Sequence, residues 1–274
     1  MKQQGISATI DGRFNKIEVL VQKVINGFDV EAIHEFRTEI KKLRASFRLL
    51  NVEIGKKKLR LSKEIKTLYD YAGTIRNLQL QLVNMQVYSP VTSSNVIEIY
   101  IEYLKKIVDK WKEHIIGSGG FGKNFNHNME CEYLPRKLRR SSVKKFVQDK
   151  MNELACLLSE LPNDDVLHAI RKVLKDVFYN WTFIKQDREL LPPGLSKKEE
   201  IKSLTEVLGR FMDKSIGIIL LETFCKDCEE NGIFYENEIG ELQDIESSWK
   251  REKQELLSII YLNPGLQSLC APGR

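Results

Sequence analysis

Residues 33–50 read Ile33-His34-Glu35-Phe36-Arg37-Thr38-Glu39-Ile40-Lys41-Lys42-Leu43-Arg44-Ala45-Ser46-Phe47-Arg48-Leu49-Leu50, without glycine or proline and rich in good helix formers. The pattern predicts one helix of about five turns. At about 100° per residue, with His34 at zero, Ile33, Phe36, Ile40, Leu43, Phe47 and Leu50 fall between roughly 160° and 260°, a stripe suited to a core. His34, Arg37, Lys41, Arg44 and Arg48 fall between roughly 280° and 360°. Glu35 and Glu39 lie near roughly 100° to 140°, away from those cations. The helix therefore carries a basic ridge along the edge of its buried face. Like charges one turn apart repel, so such a ridge calls for an anion; a solvated charged face is the plainer alternative.

The string His34-x-x-Arg37-x-x-x-Lys41-Lys42-x-Arg44-x-x-x-Arg48 resembles the signature helix of the CHAD family, all-α domains named for their histidine and associated with inorganic polyphosphate. The rest of the chain supports an all-α reading. Helical periodicity runs over 15–26, 59–86 and 96–116, which with the signature helix makes an antiparallel four-helix bundle in residues 10–116. A connecting loop is expected over 117–132. A second helical half is expected over 133–262, with helices at 134–161, 166–185, from Ser196-x-x-Glu199 to 229, and at 238–262. Residues 263–274 have little to bury and are expected to form a flexible tail. No segment has strand period, and the whole is expected to be a single domain.

The order of helices repeats. His34-Glu35-Phe36-Arg37-x-x-x-Lys41 recurs as His168-Ala169-Ile170-Arg171-x-x-x-Lys175, an offset of 134. Tyr71-Ala72-Gly73-Thr74-Ile75-Arg76-Asn77 recurs loosely as Val207-Leu208-Gly209-Arg210-Phe211-Met212-Asp213, an offset of 136. A repeated bundle would set the two histidine helices in pseudo-two-fold positions. The resemblance implies the same: two helical halves with a basic channel between them, and His34, Arg37, Lys41, Lys42, Arg44, Arg48, His168, Arg171, Lys172 and Lys175 facing a polyanion. It also brings in Arg76, and a basic helix before the second histidine that here offers Arg136, Arg140, Lys144 and Lys145; for these a solvated face is an equal alternative. Phe178 and Thr182 stand where the first ridge has Arg44 and Arg48, so the second ridge is about half as charged. Lys56-Lys57-Lys58 and Arg60 read as a loop and a solvated helix start.

Arginine suits a polyphosphate because its guanidinium forks onto two oxygens, and lysine acts as a movable point charge. The two histidines, set among cations, should protonate more readily once an anion is bound, so binding should tighten as the pH falls toward about 6. The net charge of +5 is unevenly spread: residues 34–66 hold eleven Lys or Arg against four acids, while 222–255 hold eleven acids against four bases. Such asymmetry fits a polyanion bound on one side. No apolar run is long enough to span a membrane, the amino terminus does not read as a signal peptide, and five cysteines fit reduced thiols. A cytoplasmic protein is expected, at polyphosphate granules if the resemblance holds.

Other chemistry finds little in the sequence. Cys225-Lys226-Asp227-Cys228 lacks a second pair at zinc spacing. Gly117-Ser118-Gly119-Gly120-Phe121-Gly122-Lys123-Asn124 lacks the hydroxyl and the preceding strand of a phosphate loop. His114 and His127 receive no role. No cofactor or metal site and no nucleophile setting is read, so the expectation is a non-enzymatic polyphosphate binder. A nucleic-acid backbone binder is the alternative, and an enzyme acting on a phosphorylated small molecule comes third.

Overall fold

A computed structural model describes residues 3–55, 59–88, 95–118, 134–232 and 236–270. Ten α-helices follow in order, with no β-strand among the described residues. They are α1 (Gln3–Gly27), α2 (Val30–Ile54), α3 (Lys63–Gln86), α4 (Val96–Gly117), α5 (Arg140–Leu158), α6 (Asp164–Tyr179), α7 (Trp181–Ile184), α8 (Lys198–Asn231), α9 (Glu236–Tyr261) and α10 (Pro264–Cys270), with a 3-10 turn at Lys185–Leu190 before α8. The expected connecting loop lies, from residue 119 on, outside the described residues, as do Lys56-Lys57-Lys58, His127 and most of the glycine-rich string.

Local chemistry sets the helix starts. Asp29 accepts from the Ala32 N–H (2.8 Å), Ser62 from that of Ile65 (3.3 Å) and Asn163 from that of Val166 (2.9 Å), each satisfying an amide that the first turn leaves open. The box expected at Ser196 forms one residue later, where the Lys197 N–H donates to Glu200 (3.0 Å). Gly55 and Gly232, at φ +77° and +63°, end α2 and α8 in the left-handed region that glycine adopts without strain.

Several boundaries differ from the sequence expectation. The helix expected over 134–161 begins only at Arg140, behind an extended Arg139, so Arg136 precedes it, and the helix expected from 59 begins at Lys63. The first helix begins at Gln3, because Ile6, Ile10 and Phe14 extend its buried stripe. The helix expected over 166–185 breaks after Tyr179. There the buried Asn180 donates its amide to the carbonyls of Asp176 and Ala45 (2.9 Å each), turning the chain and tying α6 to α2. The expected flexible tail is corrected over 264–270: α10 buries Leu266, Asn263 caps its first amides, and Gly265 packs on the backbone of Gly194.

One apolar core runs from Ile6 to Leu266 and draws on all ten helices for buried side chains, α7 contributing Ile184. In it α1 packs on α2, α3 on α4 and α8 on α9, while α6 lies against α2, α5 and α8. Burying apolar surface on this scale is what holds such helices in place. The α2–α6 contact sets the two histidine helices side by side.

Candidate anion-binding site

The ridge of α2 is fixed by its apolar stripe. Ile33, Phe36, Ile40 and Leu43 are fully buried, which leaves the positions beside them at the seam with α6. On α6, Ile170, Leu174 and Val177 do the same. Between the helices opens a cleft of about 360 Å³, lined by Arg37, Lys41, Arg44 and Arg48 from α2, by His168, Arg171, Lys172, Lys175, Asp176 and Tyr179 from α6, and by Tyr69 and Asp70 from α3. Seven cations thus face two carboxylates.

Two arginines sit in matching cradles. Arg37 donates from Nη1 to the Tyr69 carbonyl (2.6 Å), with its guanidinium 4.3 Å from the Tyr69 ring centre. It lies over Gly73, where a Cβ would stand 2.3 Å from Nη1. Arg171 donates from Nε to the Thr205 carbonyl (3.4 Å) and lies over Gly209, where a Cβ would stand 3.2 Å from Nη2. Both glycines fall in the repeated string of the sequence, and their missing side chains make room for the guanidinium groups. Stacking on Tyr69 also steadies Arg44, at 5.5 Å. Lys175 stands 5.1 Å from the Phe178 ring, and Lys198 of α8 comes within 5.3 Å of the same ring.

Crowding of positive charge shows in the protonation equilibria. Burial, with Arg37, Arg171 and Lys175 nearby, pulls the Lys41 ammonium down to about 7; only Asp213 of α8 acts against it. Burial and Arg171 bring Lys175 down to about 8, with Lys202 adding to the effect and Glu206 opposing it. His34 and His168 fall below the ordinary histidine value, first through desolvation and then through Arg76 for one and Arg171 for the other.

Several other cations expected at the site have acidic partners elsewhere. Lys42 turns to the buried Glu39 (2.7 Å), which also accepts from Arg13 (2.9 Å). Arg140 pairs with the buried Asp187 (2.7 Å), Lys144 lies 3.8 Å from the same carboxylate, and Lys145 lies 3.5 Å from Asp149. Arg136 is exposed in the segment before α5 and does not line the cleft. His34 and Arg76 stand outside the lining; Arg76 is within electrostatic reach of Arg37 and of His34, and His34 also of Lys41.

The sequence reading missed Tyr69, Asp70, Asp176 and Tyr179. Asp176 is the most consequential of these: nearly fully buried, it holds Arg48 at 2.5 Å and Lys150 of α5 at 3.2 Å. Its position next to Lys175 was the available signal. Among the described residues no group of three or more His, Cys, Asp or Glu is placed to hold a metal ion, and no helix is long and apolar enough to cross a membrane.

The family model described as CHAD domain matches residues 8–222. The crystal structure of the CHAD domain from the plant Ricinus communis superposes with a TM-score of 0.64 at 15% identity, covering 99% of this chain and 91% of that one. That likeness is one of fold. None of the curated proteins compared with the chain matches it.

Proposed function

The chain belongs to the CHAD family, and on that footing we propose that it binds inorganic polyphosphate in the cleft between α2 and α6, without chemistry, and so recruits or retains itself or a partner at polyphosphate deposits. One observation carries the reading: seven cations drawn from two repeated helices line one cleft, and few acids oppose them. A polyphosphate brings charge on every unit and oxygens that only accept, which matches guanidinium and ammonium donors. Of the two acids in the cleft, Asp176 is already engaged by Arg48 and Lys150, which supports a binding role over acid–base work.

A second reading, single-stranded nucleic acid, is favoured by the tyrosines in the lining, since bases stack on aromatic rings. Against it, Arg37 already covers the Tyr69 ring. A competition titration separates the two: labelled long-chain polyphosphate is displaced by unlabelled polyphosphate, single-stranded DNA, RNA or duplex DNA across a salt series. The expected result is a preference for polyphosphate of about tenfold or more and a steep salt slope. Equal or better competition by a nucleic acid overturns the assignment, and release of phosphate overturns its non-catalytic part.

Binding should fall as pH rises. An anion in the cleft raises the Lys41 and Lys175 values from about 7 and about 8, so binding takes up protons wherever these groups are neutral in the empty protein. Affinity is therefore fullest below about pH 7 and declines through pH 8 to 9, with the histidines adding a further gain at lower pH. Titrations in buffers of different ionisation enthalpy should show net proton uptake at pH 8. For the empty protein, charging a buried Lys41 makes stability decline as pH falls from its unfolded value near 10.5 toward 7.

Gly73→Ala keeps every charge yet places a methyl 2.3 Å from Arg37 Nη1, so the guanidinium must leave its cradle. Gly209→Ala meets Arg171 at 3.2 Å and demands a smaller shift. Polyphosphate affinity should drop about tenfold for the first and less for the second, as expected when one charge-assisted contact is misplaced. Equal affinities for both variants and the unaltered protein would show that the cradles do not matter.

A further inference from the structure

We propose that the cleft does not end at Arg48 but continues into a second anion subsite formed by Arg44 and Arg48 with Arg60 and Lys66, and that a polyphosphate chain longer than the cleft leaves through it. This inference rests on the polyphosphate reading and gives it a length dependence and an exit direction.

A second cavity, of about 160 Å³, shares Arg44 and Arg48 with the first and adds Arg60, from the segment before α3, and Lys66, from the first turns of α3. Four cations and no acid line it. Arg60 and Lys66 are exposed and make no ion pair among the described residues, unlike Lys42, Arg139, Arg140 and Lys144, which are each tied to a carboxylate. Leaving two cations unpaired beside two more is unfavourable for the empty protein, and a bound anion relieves it.

The backbone that presents Arg60 is fixed. Asn51, at the end of α2, accepts from the Leu59 N–H (2.7 Å) and donates to the Leu59 carbonyl (3.1 Å), gripping that residue on both sides. Leu59 and Leu61 are buried on either side of Arg60, and Ser62 then caps α3. The arginine therefore projects from an anchored segment, which lowers the entropy lost on binding. Along α2, Arg37 to Arg48 spans a rise of roughly 16 Å, so a short phosphate oligomer fits within the central cleft while a longer one needs further cations. The one aromatic side chain in the second cavity, Phe47, is buried and offers no platform for a base.

The test compares tripolyphosphate with long-chain polyphosphate, using Arg60→Gln/Lys66→Gln and, as a charge-matched control, Lys105→Gln/Lys106→Gln on the exposed side of α4. For the first variant, tripolyphosphate should bind within about twofold of the unaltered protein, which also shows that the fold is intact. Long-chain affinity should fall about fivefold at low salt, and the slope of log K against log salt should flatten by about 1.4, or about 0.7 for each lost phosphate contact. The control should leave both unchanged. Long-chain binding equal to that of the unaltered protein, or equal flattening in the control, overturns the subsite while leaving the central cleft standing. If the unaltered protein binds neither probe, the polyphosphate reading itself fails and the subsite with it.

Discussion

Arg37→Ala combined with Arg171→Ala is expected to weaken long-chain polyphosphate binding by about a hundredfold or more. Hydrogen bonds to charged groups contribute about 1.5 to 3 kcal/mol each, and these two guanidinium groups stand on opposite walls of the same cleft. Each single variant should lose part of that effect, and a double-mutant cycle should show coupling if one anion bridges both walls. The fold should survive. Removing Arg37 forfeits its bond to the Tyr69 carbonyl, but it also removes a charge that now depresses Lys41. The Lys41 value should accordingly rise toward the ordinary lysine range, a shift that NMR titration can read. Normal melting with unchanged polyphosphate affinity would place the ligand elsewhere.

Asp176→Ala should move stability and affinity in opposite directions. The carboxylate sits almost fully buried between Arg48 and Lys150, and burial holds its value above the ordinary aspartate range despite both cations, so removing it forfeits two ion pairs but also relieves a desolvation cost. Lys150 keeps Glu153 at 2.7 Å, whereas the partly exposed Arg48 loses its partner, so the empty protein should lose about 1 kcal/mol in urea denaturation. With Arg48 freed for a phosphate, affinity should instead rise several-fold. Saturating polyphosphate should then restore more of the melting temperature in the variant than it adds to the unaltered protein, through preferential binding to the folded state. A variant as stable as its parent, or one that binds more weakly, would show that Asp176 is not an internal substitute for the ligand.

Much of this was legible in the sequence because helical periodicity reports burial directly. The stripe and ridge of residues 33–50 and their echo from His168 to Lys175 place eight of the expected side chains in one cleft. What escaped needed information from a second helix. Glu39 seemed to face away from the cations, yet α1 crosses that side and brings Arg13 and Lys16, so Glu39 is buried and takes Lys42 with it. The cationic stretch from Arg136 to Lys150 carries no record of Asp187 and Asp176, which arrive from later in the chain. Gly73 and Gly209 were visible as a repeated pair, but the arginines that require them were not. The early start of α1 was hidden by Gly5 and Gly12, whose poor helix propensity is overridden by burial of Ile6, Ile10 and Phe14. Likewise Asn180 breaks its helix through a bond to Ala45 that no local pattern announces.

Whether polyphosphate lies between α2 and α6 is tested most directly by a crystal structure of the protein grown with polyphosphate. A chain of phosphate density is expected between α2 and α6, within hydrogen-bond distance of Arg37 and Arg171 and close to Lys41 and Lys175. Density on the α5 patch around Arg140 and Lys144 instead, or a cleft free of phosphate at saturating ligand, would contradict it.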